Sequence, residues 1–155
     1  MTKQEIQTFT ARISQSNRSE LVVISYDIIT TYIKHAREEL SANPGEFVRN
    51  IKLAKEVLEE LKNALDFNYP EIAGSLMSLY LFLEKQLNAC IFKKQDINLD
   101  TVLSIIDKLR AGFEKVAAED ASGAVMSNTE TIYAGITYGK GALEEMYEGK
   151  TGFRA

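Results

Sequence analysis

Apolar side chains recur along most of the chain at alternating steps of three and four, the period at which an α-helix brings side chains onto one face. Over residues 18–40 the stripe is Val22, Ile29, Tyr32, Ala36 and Leu40, flanked on a helical wheel by Leu21, Tyr26, Ile28 and Ile33, with Val23 and Ile24 outside the arc. Over 45–66 it is Phe47, Ile51, Ala54, Leu58, Leu61 and Leu65, opposite a charged side of Lys52, Lys55, Glu56, Glu59, Glu60 and Lys62 that reads as solvated. Over 70–92 it is Ile72, Leu76, Leu79, Leu83, Leu87 and Cys90. Over 98–118 it is Leu99, Val102, Leu103, Ile106, Leu109, Phe113 and Val116, opposite Ser104, Asp107, Lys108, Glu114 and Lys115.

The breaks between these stretches carry helix-boundary chemistry. Asn17 and Glu20 are spaced as a capping box, and Asn43-Pro44-Gly45-Glu46 reads as an Asn cap followed by proline at the first helical position. Pro70 opens the next helix, Lys93-Lys94 complements its C-terminal dipole, and Asn98 with Asp100 opens the last. Links of a few residues favour antiparallel neighbours, so the pattern predicts an all-α, up-down-up-down four-helix bundle. Two segments lie outside it. Residues 1–16 space Ile6, Phe9 and Ile13 as a short helix that needs something to dock on, and residues 121–155 hold most of the nine glycines and read as a flexible or partly helical arm. The expected organisation is therefore an N-terminal segment (1–16), a bundle (17–120) and a tail (121–155).

The helix at 70–92 is more apolar than one seam requires, because Ala73, Met77, Tyr80 and Leu81 widen its stripe on one side and Phe82 appears on the other. Either this helix and the one at 18–40 are the most buried members of the bundle or form a homodimer interface, or their excess forms a groove for a partner's amphipathic helices. Met77 and the aromatic residues suit a surface that must adapt to its occupant.

Composition narrows the field. With 45% hydrophobic and 26% charged residues and no apolar run near the roughly 20 that span a bilayer, the chain reads as a soluble domain with no membrane insertion. Met1-Thr2-Lys3-Gln4-Glu5 is followed by no apolar signal run, and Cys90 has no second cysteine to pair with, which points to the reducing cytosol. A net charge of −4 supplies no cationic footprint for nucleic acid. His35 and Cys90 are each alone of their kind, so zinc sites and catalytic triads lack their parts; His35 reads as an ordinary exposed side chain and Cys90 as a core one. The pairs Glu38-Glu39 and Glu59-Glu60 read as solvated, and Gly139-Lys140-Gly141 lacks the spacing and the Ser/Thr of a phosphate loop. No enzyme, metal or cofactor is expected.

Several stretches, in order, resemble the FliS family of flagellin export chaperones. Asn17-Arg18-Ser19-Glu20-Leu21-Val22 followed by Ser25-Tyr26-Asp27 is similar to the family's Ser-Pro-Glu-Glu-Leu-Val cap and Leu-Tyr-Asp. Leu65-Asp66-Phe67 is similar to its link into the third bundle helix. Ser78-Leu79-Tyr80, Leu83, Leu87, Asn88-Ala89-Cys90-Ile91 and Lys93-Lys94 resemble its Ala-Leu-Tyr helix ending Glu-Ala-Asn-Ile-Lys-Lys, and Leu109-Arg110 with Phe113 its Leu-Arg and aromatic residue. The resemblance covers about residues 9–118. It departs from the family at the start, where Phe9 stands in place of a usual Tyr and lacks its hydroxyl, and Ile13 near a common Val.

The resemblance implies an antiparallel bundle in the bacterial cytosol that binds the disordered C-terminal region of flagellin, prevents premature polymerisation and delivers it to the flagellar export gate, a type III secretion route. On that reading Tyr26, Ile29, Ile33, Met77, Tyr80, Leu81 and Leu87 are the expected groove walls, and Ile6, Phe9 and Ile13 a displaceable lid. The competing expectation is a homodimeric structural bundle that turns the same apolar faces on itself.

Overall fold

Helices begin in this chain where a side chain can take over amide groups that a first turn leaves free. Thr2 does so for α1 (Lys3–Ser14), in a capping box with Glu5. Asn17 and Glu20 form the second such box at the head of α2 (Arg18–Glu39). Asn43 accepts from the Glu46 amide at the start of α3 (Pro44–Asn63), and Pro44 and Pro70 occupy the first turns of α3 and of α4 (Pro70–Lys93). At α5 (Leu99–Glu119) Asn98 adopts a left-handed φ of 57°, a conformation Asn tolerates better than most residues, and Asp96 accepts from the Leu99 amide. The computed structural model describes residues 1–120 and residue 123, and these five helices hold all of their regular structure.

α2 is the hub. It packs against α3, α5 and α1, while α3 also packs against α4 and α4 touches α5 only sparingly. Residues from almost every direction around α2 are buried: Leu21, Val23, Ile24, Tyr26, Ile28, Ile29, Tyr32, Ile33 and Ala36. Val23 and Ile24, outside the arc read from the sequence, are buried because α1 and the end of α5 cover a side of α2 that a simple bundle would leave to solvent. α3 lies between α2 and α4, and having two neighbours buries its flank as well as its seam. Glu60, expected on a solvated face, is accordingly only 4% exposed. On the same helix Lys62 reaches Glu59 at 3.0 Å and crosses to Glu84 of α4.

α4 is rotated relative to its expected seam. Its buried residues are Ala73, Tyr80, Leu83, Gln86, Leu87 and Cys90, whereas Ile72 and Leu79 are exposed. The expected stripe would have placed Ile72 and Leu79 inside; Tyr80 takes the inward position because its hydroxyl finds a partner across the core.

The short α1 is seated on α2 by apolar contact and by polar contacts near both of its ends. Phe9 and Ile13 join the core, with Ile6 half-buried against it. Near its C-terminal end, Arg12 lies over the Phe9 ring and donates to Asp27 at 2.8 Å. Asp27 also accepts from Arg110 of α5, so one carboxylate ties three helices together. Near the N-terminal end, His35 lies 3.0 Å from Glu5 and 3.4 Å from Glu38, and so is not the free exposed side chain expected of it. Ile24, Asp27, Ile28, Thr31 and His35, at helical spacing, form the strip of α2 beneath α1.

Two outcomes follow from this anchoring. Asp27→Ala should lower global stability by about 1–2 kcal/mol, since at a partly screened site it removes the carboxylate that Arg12 pairs with and leaves Arg110 with Glu114. Hydrogen exchange should quicken across α1 and the end of α5 together, whereas Arg12→Ala should affect α1 alone; equal protection in both variants would refute the shared tie. Burial raises the Glu5 carboxyl, but the Thr2 amide and His35 outweigh it and hold it below its usual 4.5. A depressed carboxyl contributes stability that is complete above its unfolded value and is lost as pH falls through the folded one. Acidification below about 4.5 should therefore undock α1 before the rest unfolds, and pH-dependent exchange of the α1 amides measures it.

Candidate functional site

The α4–α5 hairpin is fastened at its loop. Cys90, fully buried, accepts from the Ile97 amide at 3.3 Å and donates to the Ile97 carbonyl at 3.4 Å, while Asn98 donates to Gln86 across the turn at 3.0 Å. Burial pushes the Cys90 thiol up, so it serves as packing and a weak hydrogen-bonding group rather than a thiolate. Arg37 of α2 holds the loop from outside through Asp96 and Asp100.

At the other end of the hairpin an apolar cavity of about 240 Å³ opens between α4, the end of α5 and the facing ends of α2 and α3. Its walls include Val22, Leu61, Leu65, Ile72, Leu76 and Phe113, with Arg18, Ser19 and Asp66 at the polar margin. Beneath it lies an aromatic cluster. Tyr26 meets Tyr80 with ring centroids 6.5 Å apart and Phe113 at 5.9 Å, all tilted, the arrangement that aromatic quadrupoles prefer. The Tyr26 and Tyr80 hydroxyls share a 2.5 Å hydrogen bond. Burial pushes Tyr80 up to about 12, only partly offset by the hydrogen bond to Tyr26, so Tyr80 stays neutral.

A strip of uncovered apolar residues leads away from the cavity. Tyr69 and Ile72 are about two-thirds exposed at its mouth, and Leu79 and Phe82 continue along the same side of α4 as Ile72. On α5, Val116 is half exposed and follows Phe113 by one turn. Phe67 and Phe92 are exposed beyond the two ends of this strip. What the site offers is apolar shape with a narrow polar margin, suited to taking up side chains from another segment.

The expected groove walls fall on two levels. Tyr26, Ile29, Ile33, Tyr80 and Leu87 are all 1% exposed or less and lie in the core in this conformation. Met77 is half-buried and Leu81 is 51% exposed, but both lie on the side of α4 towards α3, where Glu84 meets Lys62, away from Ile72 and the cavity. Of the expected lid, Phe9 and Ile13 are buried beneath α1 and Ile6 is partly so; none of the three lines the α4–α5 cavity. The sequence reading missed Ile72, Leu79 and Phe82 as surface residues and Val22, Leu61 and Leu65 as cavity walls. The one available signal was Phe82, set off from the main stripe of its helix. Gly139-Lys140-Gly141 lies outside the described residues.

No helix among the described residues is long and apolar enough to cross a membrane, and no three of their His, Cys, Asp and Glu side chains gather as a metal site would require. No curated protein and no solved structure matches the chain. A family model described as flagellar protein FliS matches residues 1–120, a span that takes in all five helices, the Tyr26–Tyr80 floor and the apolar cavity above it. The chain belongs to the flagellar protein FliS family.

Proposed function

We propose that this protein is a non-enzymatic chaperone of the bacterial cytosol that takes up the disordered C-terminal region of flagellin, keeps it from polymerising and hands it to the flagellar export gate for type III secretion. Its working body is an antiparallel four-helix bundle of residues 17–120, with residues 1–16 as a lid and residues 121–155 as a tail. Family membership supports the reading at the level of flagellar assembly and export. The observation that carries it to a site is the continuous apolar surface from the 240 Å³ cavity along Ile72, Leu79 and Phe82.

The physics is coupled folding and binding. A disordered segment becomes helical against the strip, presenting side chains at i, i+3, i+4 and i+7, and the buried area outweighs the cost of ordering it. Met77 and Leu81 extend the contact round α4. Tyr26, Ile29, Ile33, Tyr80 and Leu87 act from below as the rigid base that keeps the surface in shape. Displacement of α1 uncovers a second apolar strip on α2, Ile24 and Ile28, and this gives Ile6, Phe9 and Ile13 their role as a lid over that strip rather than over the α4–α5 cavity.

The decisive measurement is titration of a flagellin C-terminal peptide into the full chain and two double variants. Ile72→Asp with Leu79→Asp should keep the helical signal, because both side chains are exposed, and weaken binding at least a hundredfold. Met77→Asp with Leu81→Asp should also stay folded and weaken binding less. Unaltered affinity in a folded Ile72/Leu79 variant would sink the choice of site. If the wild-type chain ignores the peptide and sediments as a tight dimer, the apolar strip serves self-association instead.

A further inference from the structure

Charge is distributed unevenly around the apolar strip. Most carboxylates of the α4–α5 hairpin are engaged within the bundle: Glu84 meets Lys62, Asp96 and Asp100 meet Arg37, and Glu114 meets Arg110. The hairpin's lysines, Lys85, Lys93, Lys94, Lys108 and Lys115, are all exposed and make no ion pair among the described residues. Of the remaining carboxylates, Asp107 lies on the side of α5 turned away from Leu109 and Val116, and Glu71 and Glu119 stand at the cavity end. A chain of net charge −4 thus presents a locally cationic surface alongside its exposed apolar strip.

Two of these lysines are placed to act on an occupant. Lys108 and Lys115 lie about two turns apart, roughly 10 Å, on the edge of α5 that continues outward from Leu109 and Val116. Between them Gly112 is exposed, and a Cβ there would meet nothing within 4 Å. Glycine weakens a helix interior, and no neighbour in the protein requires it at this position. What it leaves is a low saddle between two lysines, over which a second helix can pass closely. On α4, Lys93 follows Phe82 by about three turns and extends the same face towards the loop.

We infer that the strip selects amphipathic helices whose apolar face is flanked by Asp or Glu, with carboxylates two turns apart that pair with Lys108 and Lys115. The identity of the occupant as an export substrate rests on the chaperone reading above; the charge preference does not. Buried apolar area supplies the affinity and charge supplies the choice. Each exposed lysine–carboxylate pair alters affinity by no more than a few-fold, but a lysine-flanked helix with the same apolar face meets like charge at every one of those positions. A second copy of the chain fits less well, because an isologous contact sets the same lysine-bearing edge on both sides.

The test titrates the full chain with three model helices of about 18 residues, roughly 27 Å long, which share one apolar face of Leu and Ala and carry Glu, Gln or Lys at its flanks. At low salt the Glu-flanked helix should bind at least about tenfold tighter than the Lys-flanked one, with the Gln-flanked helix between. That ratio should shrink as salt shortens the screening length from about 10 Å at 0.1 M to about 3 Å at 1 M. Lys108→Glu with Lys115→Glu, both exposed, should keep the helical signal and cut the ratio at least about threefold. Lys34→Glu with Lys52→Glu makes the same change of net charge at exposed positions on α2 and α3, and should leave the ratio as it is. Equal affinities for the three helices, an equal loss in both double variants, or binding unchanged by Ile72→Asp with Leu79→Asp would overturn the inference. A flagellin C-terminal peptide that binds the strip equally well after its Asp and Glu are changed to Asn and Gln would also overturn it, and would leave the chaperone reading standing. Discrimination among the model helices with no flagellin binding to any form would instead overturn the chaperone reading and leave the charge preference in place.

Discussion

The structure turns on a demand set by α2: apolar residues point in nearly every direction from it, so it is stable only when enclosed. Leu21, Ile29, Ile33 and Ala36 are covered by the helices on either side, Val23 and Ile24 where α1 and α5 meet, and Tyr26 by the rings of Tyr80 and Phe113. Burial of each large side chain contributes about 1.5–3 kcal/mol, which makes enclosure of this helix the largest single stabilising feature. It also allocates the apolar faces of the other elements. α3 and α5 turn theirs inward to α2, and α1, only 12 residues long and marginal on its own, exists as a helix because α2 gives it a seat.

α4 is left with the remainder. It sits across the core from α2, held by the Tyr26–Tyr80 hydrogen bond and by its contacts with α3, and only loosely opposed by α5. A tyrosine pair buried in an apolar core is tolerable because the two hydroxyls share a hydrogen bond that replaces one lost to water. Tyr80 faces inward, and Ile72 and Leu79, roughly a quarter-turn round the helix from it, lie uncovered on the first half of α4, which α5 opposes only loosely. The Cys90–Ile97 and Gln86–Asn98 contacts close α4 on α5 at the loop, so the unfilled space gathers at the opposite end, where the cavity lies.

The helices themselves were legible because their signals are local. The Asn17–Glu20 box, the Asn43-Pro44 start and the three-four apolar steps each depend on residues within one or two turns, and the observed helices begin and end within about three residues of their expected positions. What the sequence could not convey was which side of an all-round apolar helix faces inward. For α4, Ile72–Leu79 and Ala73–Tyr80 are equally good seams by spacing, and only a partner hydroxyl 54 residues away in sequence decides between them. Glu60 and His35 were misplaced for the same reason, since a solvated face and a face that meets another helix have the same composition. The groove walls suffered most: Tyr26, Ile29 and Ile33 are apolar enough to bind a partner, and for that reason the protein's own helices had already covered them.

The two apolar regions differ in how they are guarded, and the difference is electrostatic. The strip of α2 under α1 is covered by an element whose seat is pinned at both ends, by the Arg12–Asp27 ion pair and by the hydrogen bond between the Glu5 carboxylate and His35, and Asp27 is shared with Arg110. Uncovering it means giving up charge-assisted hydrogen bonds along with Phe9 and Ile13, so it responds to pH, salt and competing helices. The α4–α5 cavity has walls that are almost wholly apolar and a floor in which two tyrosine hydroxyls share one hydrogen bond, with Arg18, Ser19 and Asp66 confined to its margin. An occupant there would be held mainly by buried area and could be exchanged for another of similar shape. On the proposed chaperone reading, a substrate that is first gripped and later released is better served by starting at the second region. There, each added side chain would contribute a modest increment, and the hydrogen-bonded seat of α1 would yield only to a segment long enough to have docked already.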